Sequence, residues 1–325
     1  MRARITGTGS YVPPRVMTNA DLEKLVDTSD EWIVSRTGIK QRHIAEDSMS
    51  NADMAAEAAK GAMESAGVSH EEIDLVISAT VTPDYRLPSN ACVLQEMLGF
   101  PNAVAFDVVA ACTGFINGLT IADSFIRTGR ARKAVIVGSE KLSAITDWSD
   151  RNTCVLFADG AGAVVVEACD TGSGVLSTFL RSDGKMRPLL WTKVGGTRYP
   201  YTDDYPFDKS DKIRMNGADL FKVAVKEMAN AARQVIEDAN LTPDDVTLFV
   251  PHQANIRIIE GVAKRLKIDR DRVFVNIEEY GNTSAASVPI ALHEASQQGL
   301  LKPGDNVVMV AFGGGLIWGA AAVKW

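Results

Sequence analysis

The order of apolar runs in this chain occurs twice. In the first half an amphipathic stretch near Asn51–Ala66 precedes the acidic turn Ser69-His70-Glu71-Glu72-Ile73-Asp74 and the apolar run Leu75-Val76-Ile77-Ser78-Ala79-Thr80. In the second, a stretch near Gly217–Asn240 precedes Thr242-Pro243-Asp244-Asp245 and the run Thr247-Leu248-Phe249-Val250. The match continues downstream. An apolar run over 104–110, then Cys112, a helical pattern to about Arg127, the turn Thr128-Gly129-Arg130 and a run over Ala134–Val137 form one set. A run over Val273–Ile277, then Asn282, a helical pattern to about Gln298, the turn Gly299–Gly304 and a run over Asn306–Val310 form the other. Strand-like runs alternating with helical periodicity predict an α/β fold. Their repetition predicts two similar halves packed about a pseudo-twofold, which we place at residues 1–172 and 173–325. No Ser/Pro-rich linker divides them, so they should share one body, and 325 residues suffice for a sizeable core. The segment 195–212, rich in Tyr, Asp and Pro without clear periodicity, is expected to be an excursion loop.

The repeat also aligns chemistry. It sets Cys112 and Asn282 in equivalent places, each at the start of a helix, so that packing the halves together brings the two helix starts close. A cysteine at the positive end of a helix dipole is expected to form a thiolate and act as a nucleophile. Taken alone, Cys112 reads equally as a small core hydrophobe. His252, in Pro251-His252-Gln253-Ala254-Asn255, follows an apolar run and so belongs at the carboxyl edge of a sheet, where α/β enzymes bind ligands; alone it reads as a loop histidine. Asn282, after Gly281, reads alone as an N-cap. Phe312-Gly313-Gly314-Gly315 follows what reads as the final strand, and its backbone N–H groups suit a developing oxyanion. The four cysteines show no CxxC pairing and no His-associated metal spacing, so neither a zinc site nor a disulfide framework is expected. The net charge of −7 argues against non-specific nucleic-acid binding. No stretch reaches membrane-span length and the N-terminus has no signal-peptide core, so a reducing cytoplasm is expected.

Together, Ala110-Ala111-Cys112-Thr113-Gly114-Phe115, Pro251-His252-Gln253-Ala254-Asn255, Gly281-Asn282-Thr283-Ser284-Ala285-Ala286-Ser287 and Phe312-Gly313-Gly314-Gly315 resemble β-ketoacyl-acyl-carrier-protein synthase III, the initiating condensing enzyme of type II fatty-acid synthesis. The resemblance runs from Gly7-Thr8-Gly9-Ser10 to Trp318-Gly319. It implies a thiolase-like fold of two βαβαβ-type halves in a layered αβαβα arrangement, a homodimer, and no metal or redox cofactor. It implies Cys112, His252 and Asn282 as the catalytic set, with Cys112 attacking an acyl-CoA thioester and the backbone N–H groups of Cys112 and Gly314 forming the oxyanion hole. Malonyl-acyl-carrier-protein would then lose CO2 while His252 and Asn282 donate to the enolate oxygen.

The resemblance further implies that Trp32, Arg36 and Arg151 hold CoA at a channel mouth, with Gly217, Asn255 and Phe312 along the pantetheine arm. Without it, Trp32 reads as a half-buried packing residue. Lys222, Arg257, Lys264 and Arg265 are expected to dock the acidic acyl carrier protein; the plainer reading is a solvated helix face. Leu87, before Pro88-Ser89, is expected to reach a partner subunit and limit the acyl pocket to short chains. Two other readings stay open at this point: a relative that serves secondary metabolism with another acceptor, and a Cys-His-Asn thioester hydrolase.

Overall fold

In the computed structural model, which describes residues 1–202 and 209–325, nine strands form the two main sheets. The first holds β1 (Arg2–Tyr11), β2 (Leu75–Ala79), β3 (Val104–Val108), β4 (Lys133–Lys141) and β5 (Asp159–Cys169), in the order β1-β5-β4-β2-β3. The second holds β6 (Gly174–Ser182), β7 (Leu248–Pro251), β8 (Asn306–Gly313) and β9 (Ile317–Lys324), in the order β7-β8-β9-β6. In each sheet a parallel pair (β2 with β4, β7 with β8) is followed by two antiparallel neighbours. The two sheets therefore share one topology, as the repeat predicts. They differ at one edge. Where the first sheet has β3, the run Val273–Ile277 contributes a single bridge, Phe249 to Val273, and turns helical from Ile277.

Among the described residues, seven helices of eight residues or more accompany the sheets: α1 (Asp30–Thr37), α2 (Asn51–Ala66), α3 (Asn90–Leu98), α4 (Gly114–Arg127), α5 (Gly217–Asp238), α6 (Ile256–Leu266) and α7 (Ser287–Gln297). Strand side chains alternate between faces. Leu75, Ile77 and Ile136 point to one side of the first sheet, and Val250, Val307 and Met309 to one side of the second. Both sets close on Phe115, Ile116 and Leu119 of α4 and on Val288, Ala291 and Leu292 of α7. The opposite faces are covered by Met54, Ala55 and Leu94 of α2 and α3, and by Met228, Ala232 and Ile259 of α5 and α6. Burial on both faces explains the near-continuous apolar runs. The result is the αβαβα stack, with α4 and α7 as its central layer. No helix among the described residues is long and apolar enough to cross a membrane.

The segment 195–212 lies in part outside the described residues. Of the described part, Val194 and Gly195 are tied by backbone bonds to Ser210 and Tyr199, and Lys209 pairs with buried Asp147 at 2.9 Å.

Candidate active site

Each central helix is entered through one tight turn, Ala111–Thr113 before α4 and Ser284–Ala286 before α7. The two turns share an unusual backbone: Ala111 and Ser284 both take positive φ, 46° and 50°. L-residues reach that region at a cost of roughly 1–2 kcal/mol each. Superposing the turns on this landmark makes Ala285 the counterpart of Cys112. The expected equivalence of Cys112 and Asn282 is therefore corrected by three residues: Asn282 lies just ahead of its turn, held by Leu156 and Ala158 through backbone bonds of 2.9 and 3.0 Å. The halves are pressed together here. A Cβ on Gly138 of β4 would stand 2.2 Å from the Ala285 carbonyl, and one on Gly313 would stand 2.6 Å from the Cys112 amide nitrogen.

Cys112 is 7% exposed and sits in the turn, before the first residue of α4. Burial pushes its thiol up to about 12, the Ser284 hydrogen bond works against that rise, and the charge of Glu140 adds to it. Burial thus opposes the thiolate that the helix dipole favours.

His252 follows β7 at its carboxyl end and is buried. Its Nδ1 lies 2.5 Å from Ser287 Oγ, which also accepts the Gln253 amide N–H at 3.1 Å. Among the described residues the Ser287 hydroxyl has no acceptor other than Nδ1, so it donates there and the ring proton resides on Nε2. That Nε2 is buried without a partner. Burial also pushes the imidazole down to about 3, which keeps it neutral. Asn282 is oriented by Ser284, whose amide N–H donates to Oδ1 at 2.9 Å, leaving the side-chain NH2 as the available donor. His252 and Asn282 thus present two neutral N–H groups.

Two cavities meet at Cys112. One, of about 120 Å³, is lined by Cys112, His252, Asn282, Gly217, Asn255 and Phe312, with Phe221 and Met228 on its apolar wall. The other, of about 330 Å³, is lined by Cys112, Ser284, Gly314 and apolar side chains including Val81, Leu142, Ile145 and Phe157. Gly314 therefore borders the larger cavity, while Gly313 makes the close approach to Cys112.

Trp32, Arg36 and Arg151 form one cluster. The guanidinium groups of Arg36 and Arg151 lie 5.9 and 4.9 Å from the Trp32 ring, and Asn255 Nδ2 donates to the Arg36 carbonyl at 2.9 Å, joining that cluster to the narrow cavity. The ring also packs on the core, as the plainer reading of Trp32 has it. Of the basic residues, Arg257 stacks over Phe221 at 5.7 Å, beside the cavity wall and next in sequence to Lys222. Lys264 and Arg265 occupy the last turn of α6, about 10 Å further along at 1.5 Å per residue. Leu87 lines neither cavity and is 87% exposed. The sequence reading missed Ser284, Ser287 and Glu140. The first two lie within the quoted Gly281–Ser287 motif, which carried no partner information for hydroxyls.

Residues 106–184 match the family model described as 3-oxoacyl-[acyl-carrier-protein] synthase III, and residues 236–325 the model of its C-terminal part. A protein of Caldanaerobacter subterraneus subsp. tengcongensis named β-ketoacyl-[acyl-carrier-protein] synthase III is 51% identical over 99% of this chain and 98% of its own. The crystal structure of 3-oxoacyl-[acyl-carrier-protein] synthase III from Aquifex aeolicus is 50% identical with a TM-score of 0.92, covering 99% of this chain and 100% of that one. The priming β-ketosynthase of the R1128 polyketide pathway superposes with the same TM-score at 36% identity, over 99% and 96% of the two chains.

Proposed function

The chain belongs to the 3-oxoacyl-[acyl-carrier-protein] synthase III family of condensing acyltransferases, and from that premise we propose a two-stage reaction at Cys112. In the first stage Cys112 takes the acyl group of a short acyl-CoA and releases CoA. The Cys112 amide and the adjoining Gly313-Gly314 backbone receive the oxyanion. In the second, malonyl-acyl-carrier-protein enters the narrow cavity and loses CO2. The enolate oxygen is held by His252 Nε2–H and the Asn282 NH2, and the carbanion attacks the acyl group to give β-ketoacyl-acyl-carrier-protein. No step transfers electrons to an acceptor, so the reaction calls for no redox cofactor. The observation that carries this reading is the meeting of two cavities at one thiol, faced by two neutral N–H donors.

Under this proposal the narrow cavity takes the pantetheine arm along Gly217, Asn255 and Phe312, and the Trp32–Arg36–Arg151 cluster takes the CoA nucleotide. Lys222 and Arg257, beside the cavity, meet the carrier protein first; Lys264 and Arg265 belong to the periphery of that contact. The larger cavity takes the acyl chain. Its volume is roughly ten times the ~30 Å³ share of one water, so acetyl leaves room that a butyryl or isobutyryl group would fill. We assign the halves to 1–172 and 173–325, and a homodimer formed along the free edge of β3. Val104 and Val109 are exposed at that edge, with Leu87 and Met97 exposed nearby in the chain. An unprotected edge with apolar side chains invites pairing. The reduced state that Cys112 needs suits the cytoplasm.

The higher identity to a protein named β-ketoacyl-[acyl-carrier-protein] synthase III, 51% against 36% for the polyketide priming enzyme, favours initiation of fatty-acid synthesis over a role in secondary metabolism. The test is intact-mass detection of acyl-enzyme across acetyl-, butyryl-, isobutyryl- and octanoyl-CoA, followed by discharge with malonyl-acyl-carrier-protein. Acyl-enzyme on Cys112 that discharges with CO2 release is expected. Hydrolysis without malonyl-acyl-carrier-protein would point to a thioesterase instead.

A further inference from the structure

Basic residues are unevenly placed along this chain. Its net charge is −7, yet residues 181–198 hold five basic side chains and one acidic one. Part of that stretch walls the larger cavity, with Arg187 among its lining residues. We propose that Arg187 receives a carboxylate at the far end of the acyl chain, so that the enzyme also takes ω-carboxyacyl-CoA, the mono-CoA thioester of a short dicarboxylic acid, as its first substrate.

The backbone around Arg187 is tied down on both sides. It lies in the turn Gly184–Leu189 that follows β6, which Asp183 opens by accepting the Lys185 amide at 3.0 Å. The backbone of Asp183 exchanges two hydrogen bonds with Leu316, of 2.8 and 3.1 Å, which join the turn to the entry of β9. At the other end Leu189 accepts the Asn216 amide at 2.9 Å, and Leu190-Trp191 pairs with Arg214-Met215. The turn also leans on the triple glycine: a Cβ on Gly314 would stand 2.9 Å from the Leu190 carbonyl. Arg187 is thereby fixed at a wall of the cavity that Cys112 and Gly314 share.

What the cavity presents along its length decides which acyl group suits it. Beside Cys112 its walls are apolar, with Val81, Leu142, Ile145 and Phe157. Among the described residues Arg187 is the one charged side chain that lines it, and no aspartate or glutamate does. Arg214, on the paired strand, has Asp147 as its partner at 3.4 Å, whereas Arg187 has neither an ion pair nor a hydrogen bond among the described residues. An unpaired guanidinium offers a planar fork of donors that matches a carboxylate. It is exposed, so a carboxylate held there stays partly hydrated and escapes the desolvation cost of a buried pair. A second cation stands beyond it. Val81, Ile145 and Thr192 also line an adjoining cavity of about 650 Å³, which Lys193 borders with its ammonium 5.2 Å from the Tyr199 ring. The other charged groups of that cavity are engaged. Lys141 is held by the carbonyls of Glu46 and Met49, Asp84 by the amides of Asn51 and Ala52, Asp211 by Lys212, and Arg86 stacks over Tyr201. A chain that ends in a carboxylate therefore keeps its methylenes on apolar walls and its charge among cations, while a methyl end gains nothing from Arg187 or Lys193.

The chemistry at Cys112 is unchanged by this choice. Its sulfur bonds the acyl carbon, the C–S bond to CoA breaks, and the proton lost from Cys112 ends on CoA. The distal carboxylate takes no part and leaves with the product, a β-ketoacyl-acyl-carrier-protein that ends in a carboxylate.

This inference rests on the functional reading above, and the experiment separates the two. Loading is followed by intact mass and CoA release with thioesters matched in carbon number: butyryl- with succinyl-CoA, valeryl- with glutaryl-CoA, and hexanoyl- with adipyl-CoA. The wild type is set beside Arg187→Met and Arg187→Glu, and Cys112→Ala is the blank for uncatalysed acylation. The wild type is expected to load at least one of the three dicarboxylic thioesters on Cys112. Arg187→Met is expected to lower the dicarboxylic-to-monocarboxylic ratio of kcat/KM about 10-fold, mostly through KM, and Arg187→Glu to lower it further. Added salt should shrink the wild-type ratio toward that of Arg187→Met. Loading of the monocarboxylic match reports that each variant is folded. Failure of every dicarboxylic thioester where its match loads overturns the proposal, and so does an unchanged ratio in both variants. A ratio that holds while discharge by malonyl-acyl-carrier-protein slows also overturns it, by giving the basic stretch to the carrier. A wild type that loads none of the six thioesters overturns the functional reading itself.

Discussion

The turns that open α4 and α7 share one backbone and carry different chemistry. Both place a non-glycine residue at positive φ, and both lead directly into a helix of the central layer. Yet the position that holds a thiol in the first holds the methyl group of Ala285 in the second. The second turn works through its flanks: Asn282 ahead of it presents an amide, Ser284 orients that amide and lines a cavity with the thiol, and Ser287 sets the tautomer of His252. The comparison teaches that the repeated element is a backbone device for aiming groups at the seam between halves. What each copy aims has diverged into a reacting atom and its supports.

The largest test of that division is Cys112→Ala, which should abolish acyl-enzyme formation by intact mass while leaving the fold unchanged by circular dichroism. His252→Ala and Asn282→Ala should acylate but lose about 10²–10³-fold in malonyl-acyl-carrier-protein decarboxylation, the usual cost of one preorganised donor, read as CO2 release. Gly138→Ala attacks the seam rather than the chemistry. Its Cβ would meet the Ala285 carbonyl at 2.2 Å, and a loss of about 3 kcal/mol or more by urea denaturation is expected. A pH test concerns His252. Its folded pKa lies below its unfolded value, so the unfolded chain binds the extra proton, and stability should fall as pH drops below about 6.5 toward about 3. The difference between wild type and His252→Gln should isolate that slope, which would be absent if the buried ring were already protonated at neutral pH. The smallest effect is expected from Ala111→Gly and Ser284→Gly. Relief of positive φ offsets the entropy glycine costs, so each should move stability by less than about 1 kcal/mol. Urea denaturation of the pair checks this, and a much larger loss in either would show that its side chain, and not its backbone, holds the turn.

Much of this architecture was legible in the sequence because both sheets are buried on both faces, which writes strands as continuous apolar runs. The order of elements and the convergence of Cys112, His252 and Asn282 on one cavity could be read from the sequence. The register of the two turns could not. A positive φ at Ala111 or Ser284 leaves no compositional trace, since neither is the glycine or asparagine that such a position favours, and the overlay slipped by three residues. Val273–Ile277 looked like a strand by composition and became one bridge and a helical turn. Glu140 was hidden for a different reason. An acidic residue closing an apolar strand reads as the point where the chain meets solvent, and only the packing of the second half over it buries the carboxylate.

The cavities that share Cys112 also carry a kinetic consequence. If the acyl chain lodges on one side of the sulfur while thioesters come and go on the other, the two donors use one doorway and cannot occupy it together. Turnover is then a strict alternation: the acyl group waits, already loaded, while CoA vacates the path that malonyl-acyl-carrier-protein must take. Double-reciprocal plots against one substrate at fixed levels of the other should run parallel, and added CoA should compete with the carrier thioester for the loaded enzyme.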